Sequence, residues 1–256
     1  MTLSVLLSVI EVLTSAVAGL TTVRLWRSGL YRRYPVLFSY IAFQAPYILF
    51  PVVLDSGSRA YFRTWIVTKP VLWTMDVLVV RELCRVVLER HSGLYTLGRW
   101  MMYGGVAVSG FISFLSLLPH MTSTMPARSR LLAYWMAADR GISLSLVIFL
   151  LLMLLAVSRY PVRLSRNVIL NAVLFTVCFL CDSLTAILTT VFDLRLSLLV
   201  YVTLSGVVAS CLLVWLFYLT PEGEQAHFDW IQFGHEYEKR VLARLDALNR
   251  VLQKAD

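Results

Sequence analysis

Charged side chains are scarce in this sequence of 256 residues. Asp, Glu, Lys and Arg make up 15% of it, whereas hydrophobic residues make up 59%. Ordinary soluble domains are about 25% charged and about 45–50% apolar. So few charges cannot cover a globule of this size with a water-compatible surface. The composition therefore excludes a soluble enzyme, a disordered chain and a soluble nucleic-acid-binding domain, although the formal net charge is +8.

The motifs of several classes of membrane enzyme, channel and pigment protein are also missing. The four histidines lie outside the middle of any long apolar run, so a haem with two axial histidines is not expected. The last apolar run holds no lysine for retinal, and no phosphate-binding loop, His-Glu-x-x-His helix or potassium-channel filter occurs. The four cysteines have no histidine nearby to complete a zinc site. We therefore expect no metal and no cofactor, and the absent motifs argue against an enzyme.

Long apolar runs are abundant instead. Seven runs reach the length of about 17–25 residues that a helix needs to cross a bilayer. Because they are long and do not alternate, they indicate helices rather than the short alternating strands of a barrel. The sequence therefore predicts an all-α fold, a polytopic bundle of seven transmembrane helices. The predicted spans are Leu3–Leu25, Tyr34–Leu54, Tyr61–Val80, Trp100–Leu118, Leu131–Val157, Asn167–Val191 and Leu196–Tyr218.

The basic residues are distributed unevenly between the predicted loops. One set of alternate loops, with the C-terminal tail, holds 16 of the 23 Lys and Arg residues, and the other set holds 5. Because basic loops stay in the cytoplasm, this bias predicts an outside N-terminus and a cytoplasmic C-terminus. It also predicts attraction to anionic inner-leaflet lipids, so nucleic acid is not needed to explain the charge. Arg outnumbers Lys 20 to 3, which favours a GC-rich bacterial gene and hence a bacterial inner membrane.

Six ionisable residues and one amide lie inside the predicted spans, where a charge costs about 2.5–3.5 kcal/mol to insert. At a helical rise of about 1.5 Å per residue, five of the seven lie about 12–15 Å below the outer end of their span. Asp76 lies deeper, and Arg140 adjoins Asp139. Polar groups from so many helices at one depth predict a shared cluster in the outer half of the bilayer. Its members are Glu11, Gln44, Lys69, Asp76, Asp139, Arg140 and Asp182.

Two interpretations of this cluster are open. In the first, its charged members line a site for a ligand, an ion or a proton. In the second, they form ion pairs that fix helix register and bind nothing. Pro70 follows Lys69 directly, and a proline inside a helix removes a backbone hydrogen bond and kinks the chain. The third span is therefore the expected place for a cavity or hinge, or for a purely architectural kink.

The character of the chain changes at Pro221 and Gly223, which end the last span. This divides the chain into a transmembrane domain of residues 1–220 and a cytoplasmic tail of residues 221–256. The tail has apolar residues at helical spacing, which predict a short amphipathic helix. These residues are Val241, Leu245, Leu248 and Leu252. Such a helix can lie on the membrane surface or under the bundle, or it can dock a second copy of the chain or another protein.

Three functions fit these observations. The missing catalytic motifs and the tail favour an integral membrane sensor, accessory or assembly subunit that acts through helix–helix and tail contacts. The polar cluster and the break at Lys69-Pro70 favour a transporter of a small solute, an ion or protons as the alternative. The third candidate function is an intramembrane enzyme, in which Asp139 and Asp182 would be the reacting carboxylates.

Overall fold

A computed structural model of the protein describes residues 2–54, 58–87, 92–117, 127–159, 164–191, 194–225 and 227–228. Almost all of these residues are helical, so the all-α prediction is confirmed. The long helices are α1 (Thr2–Arg27), α2 (Pro35–Val53), α3 (Arg59–Val87), α4 (Ser92–Leu117), α5 (Ala127–Arg159), α6 (Arg166–Val191) and α7 (Leu194–Tyr218). The short elements are the 3-10 turn Leu30–Arg32, strand β1 (Leu164–Ser165), helix α8 (Glu222–Gln225) and strand β2 (His227–Phe228).

Within the described residues, five helices contain a segment long and apolar enough to cross a membrane, namely α1, α2, α5, α6 and α7. Their outer surfaces are apolar too, since Leu13, Val53 and Phe217 are 59%, 76% and 64% exposed. A surface of this kind is unfavourable in water and suits lipid. These features indicate a multi-pass membrane protein. Because α3 and α4 are not among the five, the seven-span count and the orientation stay predictions.

Six of the long helices close into a ring. α1 packs against α2 and α7, and α6 packs against α5 and α7. α3 completes the ring because it contacts α2 on one side and α5 and α6 on the other. α4 lies outside this ring, against α5 and α3. The interior of the ring is therefore lined by every long helix except α4.

A seven-residue connection, residues 28–34, turns the chain back from α1 to α2. Gly29 has φ 73°, the left-handed region that side chains rarely adopt, while a Cβ there would meet nothing within 4 Å. Backbone conformation rather than lack of space therefore favours glycine. Pro35 then starts α2 with its fixed φ. Halfway along the pair, the Ser15 hydroxyl donates to the Ala45 carbonyl oxygen at 2.7 Å and holds the two helices together.

The start of α2 is capped by a side chain from α3. The Glu82 carboxylate accepts hydrogen bonds from the backbone N–H groups of Val36 and Leu37, both at 3.0 Å. It thereby satisfies two of the donors that a helix leaves free at its N-terminus and places negative charge at the positive end of the helix dipole. Burial raises the pKa of Glu82, and the two N–H donors and Arg85 partly oppose that rise.

Ends of five helices meet on one side of the molecule, here called the α8 end. Arg24, near the end of α1, donates to the carbonyl oxygens of Leu216 and Phe217 at the end of α7. The end of α3 lies there too, since its Glu82 caps the start of α2. α8 packs against α6 at the same end. The interior at this end is filled by aromatic side chains. The Phe175 ring lies between Tyr40, at 5.6 Å, and Trp215, at 4.8 Å between centroids.

A polar network fastens α8 beneath the ring. The Tyr34 hydroxyl donates to Glu224 at 2.8 Å, and the Asn167 amide donates to the same carboxylate at 3.3 Å and to the Thr220 carbonyl oxygen at 2.8 Å. The Arg33 guanidinium lies 3.4 Å from the other Glu224 oxygen. The chain that leaves α7 is thus tied to the starts of α2 and α6. β2 then pairs antiparallel with β1, just before α6.

Residues 229–256 lie outside the described residues. The predicted tail helix, with Val241, Leu245, Leu248 and Leu252, therefore lies there too. The division into a domain of residues 1–220 and a tail of residues 221–256 stays a prediction.

Candidate functional site

A cavity of about 470 Å³ opens into the ring at the end opposite α8. Each of the six ring helices contributes to its wall, and the contribution of each spans one or two turns. Its polar and ionisable lining residues are Glu11, Thr14, Gln44, Tyr47, Tyr61, Lys69, Asp139, Cys181, Asp182, Thr185, Tyr201 and Ser205. The volume lies within the range of about 300–1,000 Å³ typical of small-molecule sites.

Five of the seven residues of the predicted cluster lie on this wall. They are Glu11, Gln44, Lys69, Asp139 and Asp182, from five different helices. The structure does not place the other two there. Asp76 lies near Tyr40, closer to the α8 end of α3, and interacts with its hydroxyl. Arg140 follows Asp139 on α5 but does not line the cavity.

The centre of the site is an ion pair between α3 and α5. The Lys69 ammonium lies 2.8 Å from both oxygens of Asp139. The indole N–H of Trp73 donates to Oδ1 of the same carboxylate at 2.7 Å. Because Lys69 and Trp73 are four residues apart, they lie on one face of α3. Asp139 is therefore held by three hydrogen bonds in one orientation.

Pro70 lies in the turn of α3 between Lys69 and Trp73. A proline has no N–H, so the carbonyl group four residues earlier, that of Ile66, loses its intrahelical donor. Such a break weakens the helix at the level of the ion pair. Close by, Trp73 stacks on Trp135 of α5 with centroids 4.8 Å apart and rings 23° from parallel. This stacking, with the ion pair, fastens α3 to α5 across the weakened turn.

Two carboxyl groups of the wall contrast with Asp139. Within the described part of the chain, neither Glu11 nor Asp182 has a hydrogen-bond or ion-pair partner. Glu11 lies close enough to Tyr61 and Tyr201 to interact with them electrostatically. Asp182 is exposed to the cavity. A purely structural network would pair its charges, because an unpaired charge away from water is costly.

Aromatic rings form much of the remaining wall. They are Tyr47, Phe50, Tyr61, Trp65 and Tyr201. Phe50 of α2 stacks on Tyr61 of α3 at 5.2 Å, and Trp65 meets Trp135 edge-on at 6.2 Å. The sequence analysis did not identify these rings as lining residues. Helical spacing was the available signal, since Tyr47 is three residues from Gln44 and Trp65 is four residues from Lys69.

The lining offers little for metal binding. Among the described residues, no group of three or more His, Cys, Asp or Glu side chains is arranged to hold a metal ion. Asp139 is already occupied by Lys69 and Trp73, so it has little capacity left as an acid or base. The arrangement instead suits binding, because it combines an apolar and aromatic wall with a few fixed polar groups.

Comparison with known proteins adds no relative. No protein-family model, curated protein or solved structure matches the chain. Its function is therefore inferred from the residues and geometry of the cavity.

Proposed function

We propose that the protein is an integral membrane sensor that binds a small solute in the cavity between its helices. In this proposal all seven long helices cross the membrane, with the N-terminus outside and the C-terminus in the cytoplasm of a bacterium. The cavity then opens toward the outside of the inner membrane. The tail, on the opposite side, carries the response to a partner protein, a second copy of the chain or the anionic lipid surface.

The observation that carries the proposal is that only some of the charged side chains in the cavity wall form an ion pair. Lys69 and Asp139 neutralise each other at 2.8 Å, whereas Glu11 and Asp182 have no such partner in the described part of the chain. A network with a structural role alone would be closed and fully paired. An open cavity of about 470 Å³ with unpaired acids supports the binding of a solute.

A sensor rather than a transporter is favoured by the contrast between the two ends. The ring is open at the cavity end and filled by Tyr40, Phe175 and Trp215 at the α8 end. Glu224, five residues before the stretch 229–256, is hydrogen-bonded to Tyr34 and Asn167. A shift of α2 or α6 on solute binding would therefore act on the chain that leads into the tail.

Thiol labelling tests the open cavity. Ser205 lines the cavity, and Val207, two residues on, faces outward and is 37% exposed. In a Cys181→Ser background, Ser205→Cys is expected to react with a membrane-impermeant methanethiosulfonate added outside right-side-out vesicles. Val207→Cys lies at the same depth in lipid and is expected not to react. An unreactive Ser205→Cys, or one labelled only from the cytoplasmic side, contradicts the proposal.

The second candidate function, transport of a small solute, ion or proton, rests on Pro70 beside the Lys69–Asp139 pair. A transporter must open the α8 end in turn, which would expose the core residue Ala172. Labelling of Ala172→Cys from the cytoplasmic side of inverted vesicles would favour transport. A sensor predicts that this cysteine stays unreactive from both sides.

Deletion of residues 236–256 tests the tail. The shortened chain is expected to keep the external labelling of Ser205→Cys while losing self-association or partner docking, measured by mass photometry and crosslinking in membranes. If the full chain is monomeric and the deletion changes neither its assembly nor its crosslinks, the tail has no docking role.

A further inference from the structure

We infer that the solute is an organic cation, an alkylated or protonated amine with an apolar body. This inference rests on the proposed binding function and names its class of ligand. It comes from the balance of charge in the wall, the rings around the unpaired carboxyl groups and the size of the cavity.

The charge balance favours a cation. The wall holds three carboxyl groups, Glu11, Asp139 and Asp182, and one amine, Lys69. The ammonium of Lys69 lies 2.8 Å from both Asp139 oxygens, so it is committed to that carboxylate and attracts Asp182 only from a longer distance. An anion in the cavity would meet Glu11 and Asp182 without a free basic partner among the described lining residues. A cation supplies the charge that these two groups lack.

The aromatic lining points to the same class. A ring attracts a cation to its face, and the attraction is strongest where water is excluded. Tyr61 and Tyr201 lie near Glu11, and Tyr47 contributes a further ring to the wall. Rings that flank a carboxylate form the kind of site that binds quaternary ammonium groups. The apolar residues Ile10, Ile48 and Leu204 provide a surface for the uncharged part of such a ligand.

The dimensions of the cavity favour an organic molecule over a bare metal ion. A cavity of about 470 Å³ is far larger than one dehydrated ion needs. The described residues also hold no group of three metal-ligating side chains. A molecule of this size can contact several helices at once.

The first test compares two reagents of equal reactivity and opposite charge on Ser205→Cys in the Cys181→Ser background. The reagent that carries trimethylammonium is expected to react roughly tenfold or more faster than the one that carries sulfonate, because an acidic cleft concentrates cations. The ratio is expected to fall toward one in the Glu11→Gln/Asp182→Asn variant. A ratio near one in the parent protein overturns the inference.

The second test is protection of Ser205→Cys from a neutral thiol reagent, N-ethylmaleimide. Tetramethylammonium and choline are expected to slow the labelling, and 3,3-dimethylbutan-1-ol, the uncharged isostere of choline, is expected not to. Equal protection by the isostere, or no protection by either cation, overturns the cation class. Either result leaves the proposed function standing as long as Ser205→Cys is labelled from outside, whereas failure of that labelling contradicts the proposed function itself.

Discussion

Asp139 accepts hydrogen bonds from two residues of α3, and its position therefore depends on both the charge and the packing around it. Lys69 contributes two of these contacts at 2.8 Å, and Trp73 contributes one at 2.7 Å. Because Trp73 also stacks on Trp135, the carboxylate, the amine and two rings form one rigid unit. This unit gives the cavity a wall that does not need a ligand to hold it in place.

A mutant cycle tests the coupling of Lys69 and Asp139. Asp139→Asn keeps an acceptor for Trp73 but leaves the ammonium unpaired, and Lys69→Met leaves the carboxylate unpaired. Each single substitution is expected to cost about 3 kcal/mol, the low end for a broken buried pair, because both side chains are partly exposed. The double variant Lys69→Met/Asp139→Asn is expected to recover most of that loss.

Thermal unfolding in detergent, followed by tryptophan fluorescence, measures the four members of this cycle. Losses that simply add in the double variant would show that the two side chains do not stabilise each other.

Residue-level reasoning predicts part of this site from the sequence. Charges inside an apolar span need partners, so the clustering of Lys69, Asp139 and their neighbours could be expected from depth alone. Which carboxylate pairs with Lys69 depends on helix rotation, which a depth estimate does not contain. In the sequence, Trp73 stands out only as a tryptophan in the middle of the third predicted span. Its role as a donor follows from the packing of α3 on α5.

At the scale of single elements, α3 reaches from the cavity to the α8 end. One face of it supplies Lys69 to the cavity wall and Trp73 to the Asp139 carboxylate, and its far end supplies Glu82 to the start of α2. Pro70 lies within the first of these regions, between Lys69 and Trp73. α3 thus extends from the cavity to the α8 end, and its weakened turn lies at the level of the ion pair.

Substitution of Glu82 tests its role as a cap for α2. Glu82→Ala leaves the N–H groups of Val36 and Leu37 without acceptors and is expected to cost roughly 1–3 kcal/mol. Glu82→Gln keeps one acceptor and is expected to cost less. Thermal stability in detergent distinguishes the two, and equal stability of Glu82→Ala and wild type would contradict the cap.

The stability of wild type and that of Glu82→Gln are expected to depend differently on pH. Because burial raises the pKa of Glu82, the folded state binds its proton more tightly than the unfolded state. Its contribution to stability is therefore greatest below the unfolded pKa of about 4.3 and is lost as pH rises through the raised folded pKa. Wild type is expected to lose stability relative to Glu82→Gln over this rise. A constant or opposite difference would contradict the sign.

The short helix α8 depends on a glycine. A Cβ on Gly223 would collide with the side-chain amide oxygen of Asn167, whereas a Cβ on Gly206 of α7 would meet nothing within 4 Å. Gly223→Ala is therefore expected to lower the unfolding temperature by a few degrees and to speed limited proteolysis after α7. Gly206→Ala is the matched control and is expected to be neutral or stabilising, since alanine is the better helix former. Equal effects of the two substitutions would contradict a specific role for Gly223.

The α8 network was beyond the reach of sequence reasoning. Tyr34 and Glu224 are 190 residues apart in the chain, and Asn167 and Glu224 are 57 apart. None of these residues lies at the middle of an apolar run, so none attracts notice as a misplaced charge. Their contacts are created by the closure of the ring, which brings the ends of α1 and α7 beside the starts of α2 and α6.

At the scale of the whole molecule, the described residues form a filled end, an open end and an outer surface rich in apolar side chains. Trp26 and Trp100 are each 68% exposed, whereas Trp215 is 1% exposed. Trp26 and Trp100 lie at the ends of predicted apolar spans, where tryptophans are typical of the boundary between lipid tails and headgroups. The arrangement is that of a protein whose solvent on the outside is lipid and whose polar groups face inward.

Quenching of tryptophan fluorescence by brominated lipids tests whether the exposed rings contact lipid. In reconstituted vesicles, the Trp26→Phe/Trp100→Phe variant is expected to lose most of the quenching of wild type, because lipid chains reach exposed rings directly. The Trp215→Phe variant is expected to be quenched as strongly as wild type. Comparable loss in the two variants would contradict the assignment of the outer surface to lipid.

The tight connection between α1 and α2 has a consequence for biosynthesis. Chains are made from the N-terminus, and only seven residues separate these two helices. The pair can therefore enter the membrane as one hairpin, joined by Ser15 and Ala45, before α3 has left the ribosome. Glu11 and Gln44 are then already in place on adjoining helices. One carboxyl group of the cavity would thus be in place early, and the lysine and the other two carboxyl groups would follow on α3, α5 and α6.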